Sequence, residues 1–226
     1  MTSVNRATLS KSLSVSLAVG AYGTAFGAAA VAAGFSVLQA CLLSLLTFTG
    51  ASQFAVIGVL GAGGTAITGI ATASLLGFRN SIYSMIMKPI LNLNGIKKLV
   101  ATQITIDESV AVSTAEEVRG PVAMRHGFWL TGGGVYLFWN FFTLLGALGA
   151  QAIGDPSAWG LDAAVPAAFL GLVWPRLKLL DEYVLAIGAA LLAIALTPLI
   201  AAGLPIIATA LLAVAFAKLK QGSNHE

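Results

Sequence analysis

Arg79 is the only charged residue between Lys11 and Lys88. Holding one guanidinium near the centre of a bilayer costs roughly 3 kcal/mol on insertion scales, so an isolated intramembrane arginine marks a functional site by default. If its helix ends near Met87, Arg79 lies about 12 Å inside it at 1.5 Å per residue, a long reach for a side chain that merely snorkels to the interface. Its planar fork suits a carboxylate. That carboxylate can belong to a substrate or to an internal acid such as Asp107, and the two can alternate. Asn80 adjoins the arginine in Phe78-Arg79-Asn80-Ser81 and is a further polar candidate.

Three other groups could take part in chemistry. Gly50-Ala51-Ser52-Gln53 interrupts an apolar run with small and polar residues. Such a break can end one half-helix and begin another, and the free N–H groups of the second bind anionic groups. The same composition also suits a simple packing notch between helices. Asp107-Glu108 is an acidic pair within a moderately apolar segment, where acids mark proton or substrate pathways or lie at the interface. Adjacent helical residues point about 100° apart, which favours Asp107 over Glu108 for a single cavity. Asn140 lies within an apolar run and can bind substrate or bridge two helices. Asp162 is equally readable as a helix N-cap or a ligand-binding acid. Signatures of hydrolases, zinc proteases, nucleotide-binding loops and dinucleotide folds are absent, and His126 and His225 have no metal-ligand spacing. No catalytic residue, metal or cofactor is expected.

The elements that must position these residues are membrane helices. The chain has 226 residues, is 58% hydrophobic and only 9% charged, with a mean hydropathy of +0.90; a soluble domain carries about 25% charged residues. The net charge of +3 does not suggest a nucleic-acid partner, because the basic residues flank apolar spans and form no stripe. The single cysteine, Cys41, offers neither a disulfide nor a CxxC site. Arg6 and Lys11 before an apolar run resemble a signal peptide, but Leu13–Ala33 is long enough to span and more apolar sequence follows, so it reads as a retained first helix. The expected fold is an all-α polytopic bundle of about seven or eight spans with at least one discontinuous or re-entrant helix. Residues 1–12 form a cytoplasmic segment, 13–217 the transmembrane domain and 218–226 a cytoplasmic polar tail.

Lysine and arginine placement puts both termini on the cytoplasmic side. The loop Lys88–Lys98, with three lysines, leaves two arrangements open. If residues 35–60 cross the membrane, those lysines lie outside and Leu99–Ala115 crosses back. If residues 35–60 instead form a re-entrant hairpin broken at Gly50, the lysines lie inside. Gly23 and Gly27 form a GxxxG spacing suited to close helix approach, within the chain or to a second subunit. An inverted repeat between the halves is conceivable but not demonstrable by inspection.

Gly-Ala-Ser-Gln-Phe, Phe-Arg-Asn-Ser-Ile-Tyr-Ser, Ile-Asp-Glu-Ser and Leu-Asp-x-Ala-x-Pro-Ala-x-Phe follow one another in this order. The succession resembles the AzlC family, the large subunit of bacterial branched-chain amino acid exporters. The resemblance places the family's polar turn on Gly50, Ala51, Ser52 and Gln53, its intramembrane arginine on Arg79, its acidic pair on Asp107 and Glu108, and its later aspartate on Asp162. The chain departs from the family's common Asn-x-Arg-His pattern, with Gly77 in place of the asparagine and Asn80 in place of the histidine. The resemblance implies export of valine, leucine, isoleucine and sometimes methionine across the inner membrane, together with a small AzlD-type membrane subunit. Rival readings are an exporter of another small solute, a non-catalytic assembly subunit, or an intramembrane enzyme, which would need a nucleophile–base pair or a metal cluster.

Overall fold

Long apolar helices alternate with pairs of half-length ones in the computed structural model, which describes residues 6–154 and 163–223. The order is α1 (Arg6–Ala32), α2 (Val37–Leu46), α3 (Ala51–Gly61), α4 (Ala66–Leu91), α5 (Gly95–Gln103), α6 (Asp107–Ala115), α7 (Pro121–Ile153), α8 (Ala164–Val173), α9 (Leu180–Leu196) and α10 (Leu204–Ser223). No strand occurs among the described residues. Of these helices, α1 with 27 residues and α7 with 33 are long and apolar enough to cross a membrane.

The centre of the bundle is the α1–α7 pair. The two helices run parallel: Thr131 donates to Ser12 at 3.0 Å, Gly20 packs on Phe138, and Gly27 packs on Thr143 and Ala147. A side chain at Gly20 would come within 3.1 Å of the Phe138 backbone, and at Gly27 within 2.7 Å of the Ala147 nitrogen. The small-residue stripe is therefore consumed inside the chain. The expectation that Gly23 and Gly27 offer a surface to a second subunit is corrected by this packing.

The segment after α1 turns at Gly34 and enters α2 through a reciprocal cap, in which Gln39 N donates to Ser36 Oγ at 3.2 Å and Ser36 N to Gln39 Oε1 at 2.8 Å. Thr47–Gly50 then breaks the helix, with Gly50 at φ +64°, and α3 returns. Phe54 reaches the level of Phe26, and a side chain at Gly61 would meet Ala33 Cβ at 2.9 Å. Both outer ends of α2–α3 thus lie at the end of α1, and the tip lies halfway down. Of the two arrangements open in the sequence, the structure adopts the hairpin.

A second hairpin enters from the opposite face. Leu99–Ala115 reads as one segment in the sequence; the structure breaks it at Ile104–Ile106. The β-branched run Ile104-Thr105-Ile106 is a weak helix former. Asp107 and Glu108 favour the positive start of a new helix. The returning helix α6 runs antiparallel to α7, with Ile104 against Gly132 and Ser113 donating to Met124 O at 2.9 Å. Helix α4, opposite in direction to α1, links the hairpins and continues through Pro89 to a left-handed Asn92 at φ 47°, beyond the expected end at Met87.

The arrangement is an inverted repeat: a long helix and a hairpin, α1 with α2–α3, then the same unit upside down, α4 with α5–α6. The tips correspond in sequence as Thr49-Gly50-Ala51-Ser52-Gln53 and Thr105-Ile106-Asp107-Glu108-Ser109. In each, the third helical residue bonds back to the N-cap amide: Gly50 N donates to Gln53 Oε1 at 3.2 Å, and Ile106 N to Ser109 Oγ at 3.0 Å. The Lys88–Lys98 loop lies on the face that carries Arg6, Lys11, Arg119 and Arg125, since Arg125 donates to Ile90 O at 2.7 Å and Arg119 to Thr8 at 3.4 Å. Helix α8 packs on α1 and α3; α9 and α10 pack on each other, α10 touches α4, and Gly203 lies against Val59 and Thr68.

Candidate functional site

Half-helices that end inside an apolar bundle leave carbonyl and N–H groups that need partners. At the first tip the carbonyls are claimed individually. Gln53 Nε2 donates to Leu43 O at 3.2 Å, Gln103 Nε2 to Leu45 O at 2.9 Å and Tyr136 OH to Leu45 O at 3.1 Å. Arg79 Nη2 donates to Thr49 O at 3.2 Å. Side chains of α4, α5 and α7 therefore hold the tip of α2–α3. The N-terminus of α3 is different: its N-cap, Gly50, has no side chain and makes no side-chain cap bond to the first amides of the helix.

Arg79 sits midway along the 26-residue α4 and bridges the two tips. Its Nη1 lies 3.2 Å from Asp107 Oδ2, with side-chain exposures of 33% and 16%. Asp107 is in the first turn of α6, at the positive end of the helix dipole. One guanidinium thus binds a carbonyl of one hairpin and a carboxylate of the other, and its Nε is buried with no hydrogen-bond partner.

Arg79, Asp107, Glu108, Gly50 and Ala51 line a cavity of about 400 Å³ whose remaining wall is largely apolar: Val19, Tyr22, Phe48, Phe54, Leu76, Val135, Trp139 and Phe169. The rings are fixed by edge contacts, Phe54 lying 6.4 Å from Trp139 and 6.0 Å from Phe169 between centroids. Trp139, 5% exposed, presents a buried indole N–H without a partner. A charged end and an apolar body are what a small amphipathic zwitterion requires. Among the described residues, no group of three or more His, Cys, Asp or Glu could hold a metal.

The expected site residues divide. Gly50, Arg79, Asp107 and Glu108 meet at the cavity; both acids face it, contrary to the preference for one, because the cavity wraps around a helix end rather than one helical face. Gln53 is fully buried, and both ends of its amide serve the α2–α3 break. Ser52 is buried against α4, its Oγ lying 3.2 Å from where a Gly77 side chain would begin. Asn80 and Asn140 lie outside the cavity wall, and Asn140 Nδ2 donates to Tyr136 O one turn back at 2.8 Å. Asp162 lies outside the described residues. Trp139 is a cavity residue with no signal in the sequence, since an indole within an apolar run reads as core and an unpartnered N–H is visible only in three dimensions.

The AzlC protein family matches residues 14–153, an interval that contains both hairpins and the α1–α7 core. The chain belongs to the AzlC family. An "Uncharacterized membrane protein" of Archaeoglobus fulgidus is 35% identical to this AzlC-family chain over 157 residues, which cover 68% of this chain and 67% of the relative. No solved structure matches it. The AzlC region ends with α7, so Arg79, Asp107 and Trp139 fall within it, whereas Phe169 of α8 lies beyond.

Proposed function

We propose that this AzlC-family membrane protein exports branched-chain or related hydrophobic amino acids across the inner membrane, as the large subunit of a two-component exporter. The observation that carries this reading is the Arg79–Asp107 pair at the meeting point of two opposed hairpin tips, in a cavity otherwise walled by apolar side chains. An amino acid carries the same two charges as that pair. Its carboxylate takes Arg79 and the uncapped start of α3, its ammonium takes Asp107, and its side chain packs against Phe48, Phe54 and Trp139. Binding exchanges an internal ion pair for two intermolecular ones, so no charge is left desolvated and unmatched.

The inverted repeat supports transport over catalysis. A site held between two units of opposite orientation becomes accessible from either face when one hairpin shifts against the other. The basic loop Lys88–Lys98, on the same face as Arg6 and Lys11, supports a cytoplasmic position for that face. An AzlD-type subunit is the partner in this reading. Helix α9 supports it: it has no buried residue, and Leu180, Val184, Ile187, Leu191 and Ile194 are all exposed.

Leucine counterflow into proteoliposomes, measured for the chain alone and with the small subunit, tests the proposal. Uptake that needs both subunits and is lost with Arg79→Leu is expected. Equal transport by the chain alone rejects the two-component arrangement, and full activity of Arg79→Leu rejects the site.

A further inference from the structure

The cavity beside Arg79 is larger than a branched aliphatic side chain needs, and much of its wall is aromatic. An apolar cavity of about 150 Å³ already accommodates benzene, whereas this one measures about 400 Å³. Valine or leucine bound by its charged groups at Arg79 and Asp107 would leave much of that volume to water or to nothing, and the uncovered wall would lose its dispersion contacts. Tyr22, Phe48, Phe54, Trp139 and Phe169 supply rings on several sides of the space. Phe48, Phe54 and Trp139 are 4%, 1% and 5% exposed, so they cannot swing in to shrink it without unpacking the core. Phe54 is held from three directions, by Phe26 at 5.5 Å, Trp139 at 6.4 Å and Phe169 at 6.0 Å. Rings so placed offer both faces and edges to a further ring, the geometry in which aromatic pairs gain beyond simple burial.

From this volume and wall we infer that the protein's substrates include aromatic amino acids, phenylalanine foremost. The inference rests on the transport reading above and names the substrate class of the same cavity. The ring of the substrate lies against the wall formed by Phe54, Trp139 and Phe169, with Leu76 of α4 also lining the cavity. A phenyl ring covers more of that aromatic wall than a branched aliphatic chain does.

The test reconstitutes the full chain with the AzlD-type subunit in proteoliposomes and measures counterflow of labelled phenylalanine, leucine and valine. The same measurement is made on Leu76→Phe, which narrows the cavity from α4, and on Val19→Phe, which narrows it from α1. The second variant serves if the first fails to fold. Phenylalanine is expected to match or exceed leucine in kcat/KM. Either variant should reduce the phenylalanine-to-valine ratio at least tenfold, the scale on which apolar pockets discriminate by size. Leucine transport with no phenylalanine transport, and no competition by excess phenylalanine, overturns this inference and leaves the transport reading standing. Phenylalanine transport with an unchanged ratio in the folded variant also overturns it, since selection would then lie elsewhere. Absence of transport for all three amino acids overturns both.

Discussion

Arg79 donates to Thr49 through one terminal nitrogen and pairs with Asp107 through the other, so substitution can separate its roles. Arg79→Lys keeps the charge but cannot span both partners, and leucine transport is expected to fall at least tenfold with little change in thermal stability. Arg79→Leu removes the guanidinium 3.2 Å from Asp107. Because the pair is partly exposed and Asp107 stays at the positive end of α6, the stability loss is about 2 kcal/mol rather than the larger cost of a fully buried pair. Adding Asp107→Asn should restore folded yield but not transport; thermal unfolding in detergent and counterflow measure the two separately. Trp139→Phe keeps a ring against Phe26 and Phe54 while removing the unpartnered N–H. If that N–H meets the substrate, KM for leucine rises several-fold with the melting temperature held; an unchanged KM would show that it does not.

The hairpins depend on contacts that belong to elements rather than to the site. Gln53 serves the first break through both ends of its amide, so Gln53→Leu leaves Leu43 O and the Gly50 amide short of a partner in an apolar interior, at a cost of about 2 kcal/mol. An undiminished melting temperature for that variant would show the break to be held by other means. The α1–α7 seam is closed at the basic face by Glu116, which accepts from Thr8 at 3.0 Å and Arg119 at 2.8 Å. Burial opposes its ionisation, yet those hydrogen bonds, with the charges of Arg119 and Lys11, hold the carboxyl below its usual range. A depressed carboxyl contributes stability that is present above its unfolded pKa of about 4.3 and lost as pH falls through the folded value. Wild-type stability should therefore drop on acidification through that window, and a Glu116→Gln variant should show a shallower drop. Parallel curves would remove Glu116 from the account.

At the scale of the molecule, the hairpin arrangement and the two-crossing arrangement place the Lys88–Lys98 loop on opposite faces. A cysteine introduced at Asn94, with Cys41 replaced by alanine, should react with an impermeant thiol reagent only from the side on which Arg6 and Lys11 lie. Labelling from the other side would contradict the packing of Arg125 on Ile90. The inverted repeat also predicts that restraining either hairpin stops transport without preventing binding, because the site is built from both tips.

Composition alone determined an all-helical chain rich in apolar segments, and the isolation of Arg79 singled it out because a lone charge in such sequence needs a partner. The break at Gly50 was also legible: small residues and a positive φ are local properties, and local properties are written in consecutive residues. The partner of Arg79, the second hairpin and the repeat were decided by tertiary structure. Asp107 is 28 residues from Arg79 along the chain, and only the opposed entry of α5–α6 places it within 3.2 Å. The break at Ile104–Ile106 carries no glycine or proline to announce it, since side chains satisfy its backbone groups: Ile106 N donates to Ser109 Oγ, Ser109 Oγ to Ile104 O and Thr105 Oγ1 to Ala101 O. Gln53 shows the same limit from the other side. A polar residue in an apolar run reads as a ligand, but whether its amide meets substrate or stranded backbone depends on which helix ends lie beside it, and that is a property of the packed bundle alone.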